Sequence, residues 1–377
     1  MPNEEVLVEI LECEQNTQIA HLILNSPETL NSLTLKMVNL ISDLLDAWEQ
    51  DSQIKMILIS GSGEKAFCAG GDIRALYESM CDEKGPIFAE EFFESEYRLD
   101  YRLHNYPKPI ISLLDGIVMG GGAGLMFASS YKITTERTRF AMPEIGVGLF
   151  PDVGFTHEIK KLPKGLGLYI MLTATNLNAA DTAFCKLTNS TLNSDDFDEF
   201  YTDIKQLAWV DNHDENIKLL DSLINQKKYS TNTKSFPKSK IKEELSTIQK
   251  LTKGDSLVTV AKNILSYDTE DEWYTKGKQT IKNGSPTSAH LIWLQCQNSP
   301  KLNLKEVFLF ELNLAIQITR QGDFKEGVRA LIIDKDNTPE WKFNSIENVS
   351  QDWIKEHIKL AWKGNPLEDI KEEESRL

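Results

Sequence analysis

The chain has 377 residues, 41% of them hydrophobic and 26% charged, and its 41 Lys and Arg against 57 Asp and Glu give a formal net charge of −16. This length and composition predict a globular protein with a sizeable core, organised as one large domain or two ordinary ones. The acidic balance argues against nucleic acid as the main partner, because phosphate binding requires clustered Lys and Arg side chains.

The five cysteines are scattered and form no CxxC pair or Cys/His cluster, so we expect neither a disulfide framework nor a metal centre. The first residues, MPNEEVLVEI, are acidic and do not resemble a signal or transit peptide. No apolar run approaches the roughly 18 residues that a membrane helix needs. We therefore expect a cytoplasmic chain, or one of the mitochondrial matrix if a leader has been removed, with no membrane contact.

Strand and helix patterns alternate through the first half. Residues 18–25 (QIAHLILN) predict a buried strand, residues 33–51 carry apolar side chains at helical spacing, and residues 54–61 (IKMILISG) form a continuous apolar run. Such a run is typical of a parallel strand buried on both faces. A long helix is predicted at 86–104, and 110–129 reads as strand, glycine turn and helix. This repeated order predicts an α/β core with a mostly parallel sheet.

The second half is different in character. Polar residues at 227–240 predict a surface connection, and the spacing after them is helical. The run SPTS predicts a helix start with Ser285 as the N-cap and Pro286 in the first turn. We therefore divide the chain into an α/β core with the active site at 1–225 and a mainly helical region at 226–377 that packs on the core.

Two glycine-rich loops each follow a predicted strand and precede a predicted helix. They are AGGD at 69–72 and MGGGAG at 119–124. Helix N-termini present unpaired N–H groups, and glycine lets a ligand approach the backbone closely. Two such loops on neighbouring strands can aim two N–H groups at one oxygen and form an oxyanion hole. Taken alone, each loop can equally be a tight turn where a helix packs on a strand.

Two carboxylates lie eight residues apart in the apolar stretch FAMPEIGVGLFPDVG (140–154). They are Glu144 and Asp152. Apolar surroundings raise the pKa of a carboxyl group, which suits a general acid or base near neutral pH. From the residues alone, the alternative is an ordinary pair of surface or helix-capping acids, with Asp152 capping a helix that starts near Val153.

In this order, the segments AFCAGGDI, DGIVMGGGAGL and FAMPEIGVGLFPDVG resemble the crotonase (enoyl-CoA hydratase/isomerase) superfamily. The resemblance starts at 25–38, and it resumes at 272–291 and 326–341. The runs PE…GLFPDVG, SPTS and GVRA…IDKD are most similar to the branch that hydrolyses 3-hydroxyacyl-CoA thioesters. The resemblance implies a crotonase-like ββα spiral core with an α-helical C-terminal region.

The resemblance also implies catalytic residues. Family enzymes hold the thioester carbonyl between two backbone N–H groups, which correspond here to Gly71 and Gly121. Hydratases use two glutamates, and here the first of those positions is Gly124 while the second is Glu144. Asp152 matches the aspartate that the hydrolase branch adds. Glu144 is then expected to attack the carbonyl or to activate water, and Asp152 to orient the substrate 3-hydroxyl and assist proton transfer.

The remaining residues implied by the resemblance bind substrate. Glu78 matches an acid that reaches the acyl pocket, and Lys335 matches a lysine that approaches the CoA phosphates. The backbone around Lys65, Ala66 and Ala69 corresponds to the segment that holds the adenine. Coenzyme A is part of the substrate, so no separate cofactor is expected.

The expected function is hydrolysis of a short 3-hydroxyacyl-CoA, with 3-hydroxyisobutyryl-CoA from valine breakdown as the favoured substrate. Two alternatives stay open: an enoyl-CoA hydratase or isomerase, and a non-catalytic family member that acts as a binding subunit. Family cores often trimerise, so a homo-oligomer is compatible with the resemblance. One departure is Phe155, which stands where the family usually has a second glycine after PDVG.

Overall fold

The computed structural model describes residues 4–227 and 236–370. Most of the surface connection predicted at 227–240 and the end of the chain lie outside these ranges. Two compact units are present, and each is discontinuous in sequence. The first is formed by Met1–Gly71, Leu99–Phe140 and Leu177–Lys242, and the second by Asp72–Arg98, Ala141–Asn176 and Glu243–Leu377. The predicted division between residues 225 and 226 stays a prediction.

The first unit is built on two sheets. Its strands are β1 (Val6–Glu12), β2 (Gln18–Leu24), β3 (Ile54–Gly61), β4 (Ala66–Cys68), β5 (Ile110–Leu114), β6 (Ile117–Met119), β7 (Tyr131–Thr134), β8 (Arg139–Ala141), β9 (Leu177–Asn178) and β10 (Ser190–Thr191). A six-stranded sheet has the order β1-β2-β3-β5-β7-β10, and a four-stranded sheet has the order β4-β6-β8-β9. In the larger sheet only β1 and β2 pair antiparallel, so the predicted mostly parallel sheet is confirmed.

The apolar runs of the sequence account for the large sheet. In β3 the residues from Met56 to Ile59 are all buried, because a central parallel strand has both faces covered. Its side chains Met56 and Leu58 join a core cluster with Ile111, Ile133 and other apolar residues of the first unit. Burial of this kind contributes on the order of 25 cal/mol per Å² of apolar surface.

Helices make up most of the second unit, and several also belong to the first. They are α1 (Leu35–Gln50), α2 (Ile73–Met80), α3 (Ile87–His104), α4 (Gly121–Ala128), α5 (Phe155–Glu158), α6 (Leu166–Thr173), α7 (Ala179–Phe184), α8 (Phe197–Lys205), α9 (His213–Lys227), α10 (Lys240–Leu251), α11 (Leu257–Ser266), α12 (Glu272–Asn283), α13 (Pro286–Asn298), α14 (Leu304–Arg320), α15 (Phe324–Val328) and α16 (Gln351–Ile358). Every element within 236–370 is helical, as predicted for the C-terminal region.

Helix starts follow the capping chemistry of the sequence. Ser285 is the N-cap of α13, where its side chain accepts a hydrogen bond from the N–H of Ser288, and Pro286 is the first helical residue. Asn303 and Glu306 form a capping box at the start of α14. These side chains satisfy N–H groups that have no partner within the helix.

Within the described ranges, no helix combines the length and apolar character needed to cross a membrane. In the same ranges, no group of three or more His, Cys, Asp and Glu side chains is arranged to hold a metal ion.

Candidate active site

The two glycine loops lie side by side in the first unit. The first connects β4 to α2 and the second connects β6 to α4, and β4 pairs with β6 in parallel. A Cβ built on Gly70 would lie 3.8 Å from the backbone nitrogen of Gly121. A Cβ on Gly122 would overlap the carbonyl of Cys68, so this close approach requires glycine. The predicted positions of both loops between strand and helix are therefore confirmed.

Gly121 is the first residue of α4, and its N–H belongs to the helical N–H groups that lack an intrahelical partner. Gly71 forms an isolated parallel bridge with Leu33. The proximity of the loops is compatible with a pair of convergent donors. Their action as an oxyanion hole stays a prediction.

Glu144 opens a short 3₁₀ turn, Glu144–Val147, in the second unit. Its side chain is 5% exposed, which excludes the surface role left open from the sequence. Gly148 ends the turn with a φ of 77°, a left-handed conformation that glycine adopts without strain. Oε2 of Glu144 is buried and has no hydrogen-bond partner among the described residues.

The segments that resemble the hydrolase branch hold this turn in place. The N–H of Ser285 donates to the carbonyl of Ile145 over 3.0 Å, and the Ser285 hydroxyl donates to Asp323 over 2.6 Å. Gly327, from the GVRA run, packs so closely on the carbonyl of Val147 that a Cβ would overlap it. The SPTS and GVRA runs are therefore close to Glu144 in space although they lie more than 130 residues away in sequence.

Asp152 is 3% exposed and bonds to a side chain that the sequence analysis did not single out as functional. The hydroxyl of Tyr97 on α3 donates to its Oδ2 over 2.5 Å. The Tyr97 ring is fully buried and contacts Phe93 and Phe308, each at a ring-centroid distance of 5.9 Å. The alternative that Asp152 caps a helix is wrong, because the N-cap of α5 is Gly154 and Asp152 is directed to Tyr97.

Glu96 is a second buried acid that sequence reasoning missed. It precedes Tyr97 on α3 and is 3% exposed, and its Oε1 has no partner among the described residues. The available signal was its position three residues after Phe93, which places a carboxylate on the apolar stripe of an amphipathic helix.

The environment raises the pKa of each of these carboxyl groups. Burial raises the pKa of Asp152 to about 6, although the Tyr97 hydrogen bond works in the opposite direction. Burial, and then the negative charge of Asp152, raise the pKa of Glu144 well above its ordinary value, and the same two causes act on Glu96. Perturbed carboxyl groups in one cluster are typical of a site that transfers protons.

The predicted substrate-binding residues differ in their exposure. Glu78 is exposed on α2 and is not among the buried acids, and Lys335 is exposed with a left-handed φ of 57°. Lys65 is exposed, Ala66 is buried, and the N–H of Ala69 donates to the carbonyl of Leu30. Their contacts with substrate stay predictions.

The two positions that depart from the family pattern are also buried. Gly124 lies inside α4, where a hydratase would carry its first glutamate. Phe155 is fully buried as the first residue of α5.

Named proteins of several organisms are similar to most of this chain. The chain is 36% identical over 331 residues to "3-hydroxyisobutyryl-CoA hydrolase, mitochondrial" of Danio rerio, which covers 88% of this chain and 84% of that protein. It is 33% identical over 357 residues to the human protein of the same name, with 94% and 89% covered.

Solved structures of known proteins have the same fold as this chain. An enoyl-CoA hydratase from Rhodobacter sphaeroides matches with a TM-score of 0.80 at 26% identity, covering 95% of this chain and 98% of that one. A carnitinyl-CoA dehydratase from Mycobacterium thermoresistibile matches with a TM-score of 0.81 at 28% identity, covering 95% and 97%. The enoyl-CoA hydratase/isomerase family model matches residues 19–358. The chain belongs to this family, and the predicted crotonase-like α/β fold is confirmed.

Proposed function

We propose that this member of the enoyl-CoA hydratase/isomerase family is an acyl-CoA thioester hydrolase. Its substrate is a short 3-hydroxyacyl-CoA, 3-hydroxyisobutyryl-CoA in particular, and the products are the free 3-hydroxy acid and CoA. The observation that carries the proposal is the pair of buried acids Glu144 and Asp152 in a chain that has Gly124 at the other hydratase position. The names of the curated relatives support the same reaction.

The proposed reaction begins with attack of an oxygen on the thioester carbonyl carbon. Glu144 either removes a proton from water as the water oxygen attacks, or attacks with its own carboxylate before water releases the acid. In the first route the carbon–sulfur bond then breaks as Glu144 returns the proton to the CoA sulfur. In the second route that bond breaks as the acyl anhydride of Glu144 forms, and the sulfur leaves as a thiolate. Water then cleaves the anhydride, and Asp152 passes the proton of that water to the thiolate. A carboxyl group with a raised pKa suits this exchange, because it accepts and releases a proton near neutral pH.

The negative charge that develops on the carbonyl oxygen is assigned to the N–H groups of Gly71 and Gly121. Removing one such donor from an oxyanion hole typically costs about 3 kcal/mol of transition-state stabilisation. Asp152 accepts a hydrogen bond from the substrate 3-hydroxyl, while its Tyr97 partner fixes the carboxylate. No cofactor takes part in these steps, since CoA is part of the substrate.

A hydratase is the weaker alternative. Adding water across a carbon–carbon double bond in this family uses two glutamates, and Gly124 has no side chain to replace the first. The added aspartate has no role in that reaction either. The non-catalytic alternative is disfavoured because burying Glu144 and Asp152 without a function would only oppose folding.

CoA recognition and location are part of the same proposal. Lys335 supplies a local cation for the CoA phosphates in a chain of net charge −16. The curated relatives are named mitochondrial, which supports the matrix over the cytoplasm as the compartment. Fractionation of cells that express the full chain tests the location.

Thiol release tests the reaction. The protein is incubated with a panel of acyl-CoAs, and free CoA thiol is followed together with the absorbance of crotonyl-CoA. We expect thiol release from 3-hydroxyisobutyryl-CoA or 3-hydroxypropionyl-CoA, and a loss of about 10²- to 10⁴-fold in Glu144→Gln and in Asp152→Asn. Hydration without thiol release would support the hydratase, and no turnover of any CoA ester would support the binding subunit.

Glu158→Gln provides the matched control. Glu158 is also a buried carboxylate, 4% exposed, but it pairs with Lys161 over 2.8 Å. The Glu158→Gln variant should keep an activity close to that of the wild type. Equal losses of activity in all three variants would mean that replacing any buried acid impairs the protein, whatever its assigned chemistry.

A further inference from the structure

The backbone directly after Asp152 has a strained conformation. Val153 has a φ of 51° and Gly154 a φ of 86°, so both are left-handed. Glycine adopts this conformation readily, whereas a β-branched residue does so only when the surroundings impose it. Something outside the segment must therefore hold Val153 in place.

Glu311 on α14 makes the contacts that do this. Its Oε2 accepts a hydrogen bond from the N–H of Gly154 over 2.7 Å, and its Oε1 accepts one from the N–H of Thr156 over 3.0 Å. The side chain is fully buried. Gln295 on α13 adds a bond to the Thr156 hydroxyl over 2.8 Å. Side chains of two helices thus hold the segment after Asp152 by hydrogen bonds.

A carboxylate is the group that fits this position. Each of its oxygens accepts one N–H, whereas an amide offers a single oxygen and turns its NH₂ toward the second N–H donor. The same helix also contacts the partner of Asp152, because Phe308 lies three residues before Glu311 and packs on the Tyr97 ring at 5.9 Å. Both the backbone and the hydroxyl that orient Asp152 therefore depend on α14.

From this geometry we infer that Glu311 is a positioning residue for the thioesterase reaction. It holds the left-handed Val153–Gly154 backbone so that the Asp152 carboxylate points at Tyr97 and at the substrate hydroxyl. Glu311 itself has both oxygens occupied by backbone N–H groups and acts only through Asp152. The inference rests on the proposed function, because it assigns a role within that reaction.

A double-mutant cycle tests the inference. The kcat and KM for 3-hydroxyisobutyryl-CoA are measured for the wild type, Glu311→Gln, Asp152→Asn and the double variant. We expect Glu311→Gln to lower kcat about 100-fold, the order of loss seen when a reacting group is misplaced by about 1 Å. Because Glu311 acts through Asp152, the double variant should be no slower than Asp152→Asn alone within about threefold.

Asn313→Ala is the matched control for fold stability. Asn313 lies on the same helix and is 5% exposed, and it bonds to the backbone of His357 and Ala361 instead of the Asp152 segment. Asn313→Ala should keep the kcat of the wild type even where its Tm falls as far as that of Glu311→Gln. Amide exchange gives a readout without activity: in Glu311→Gln the N–H groups of Gly154 and Thr156 should exchange faster than in the control.

Several results would overturn the inference. They are losses that multiply in the double variant, equal loss of kcat in Asn313→Ala, or unchanged amide exchange at Gly154 and Thr156. If Glu311→Gln does not fold, Glu311→Asp replaces it, and its shorter carboxylate should give about a tenfold loss with the same non-additivity. An inactive wild type would instead overturn the proposed function, so the two failures are distinguishable.

Discussion

Replacement of Tyr97 by phenylalanine removes one atom from the site and leaves its packing unchanged. The lost hydroxyl donates to Asp152 Oδ2 over 2.5 Å, while the ring keeps its contacts with Phe93 and Phe308. The hydrogen bond favours the ionised form of Asp152 and works against the burial that raises its pKa to about 6. Tyr97→Phe should therefore raise the pKa of Asp152 further.

The size of the effect follows from the bond that is lost. A hydrogen bond to a charged group contributes about 1.5–3 kcal/mol, and 1.36 kcal/mol corresponds to a tenfold change in a protonation equilibrium. The acidic midpoint of kcat/KM should accordingly move up by about 1 to 2 pH units, if Asp152 must be ionised to accept a proton. For a shift in the middle of this range, activity falls roughly 15-fold at pH 6 and hardly at pH 9.

The assay is thiol release from 3-hydroxyisobutyryl-CoA between pH 5 and 9. Because Asp152, Glu144 and Glu96 interact, the profile reports the cluster, and only its displacement between variants is compared. Tyr106→Phe is the control, since it removes a buried hydroxyl that donates to the carbonyl of Leu45 over 2.7 Å. A folded Tyr97→Phe variant with an unmoved acidic limb, or an equal shift in the control, would refute the reasoning.

Two further predictions concern stability. Asp152→Asn should raise the free energy of unfolding by on the order of 3 kcal/mol at pH 8 and change it little at pH 4. The reason is that the pKa of Asp152 is raised to about 6, so its ionised form opposes folding as the pH rises through that value. Urea unfolding measures this difference, and equal effects at both pH values would contradict the prediction. Gly122→Ala should lower the free energy of unfolding by about 1–3 kcal/mol and abolish thiol release, because its Cβ would overlap the Cys68 carbonyl between the two glycine loops. Gly364→Ala is the control: a Cβ there meets nothing within 4 Å, so the free energy of unfolding should change by less than about 0.5 kcal/mol.

Local elements of the fold could be predicted well from the sequence. The apolar run at 54–61 coincides with β3, and the helix predicted at 86–104 is α3 at Ile87–His104. The Ser285 N-cap was also predicted and is confirmed. These features depend on residues at most a few positions apart, so periodicity and capping chemistry contain the necessary information. The β1 strand was not predicted, because its acidic residues on a half-exposed edge do not give a continuous apolar run.

The site was only partly predictable for the opposite reason. Glu144 and Asp152 stand in a recognisable stretch, but Tyr97 is 55 residues from Asp152 and Glu311 is 157 residues from the Gly154 that it holds. Contacts over such separations leave no periodic pattern in one sequence. The exposure of Glu78 on α2 likewise depends on tertiary packing, and its predicted role in the acyl pocket stays a prediction.

Four of the buried carboxyl groups of the second unit, those of Glu96, Glu144, Asp152 and Glu311, divide into two kinds by their hydrogen bonds. Glu311 has both oxygens bonded to backbone N–H groups, and Asp152 is bonded to Tyr97. Glu144 and Glu96 each keep one buried oxygen without a partner among the described residues. A buried acceptor without a donor costs about 1–3 kcal/mol, so a chain selected for folding alone would replace both by apolar residues. The unsatisfied oxygens instead fit donors that arrive with the substrate, such as an attacking water. Hydrolysis of a thioester therefore accounts for this cluster better than a structural role does.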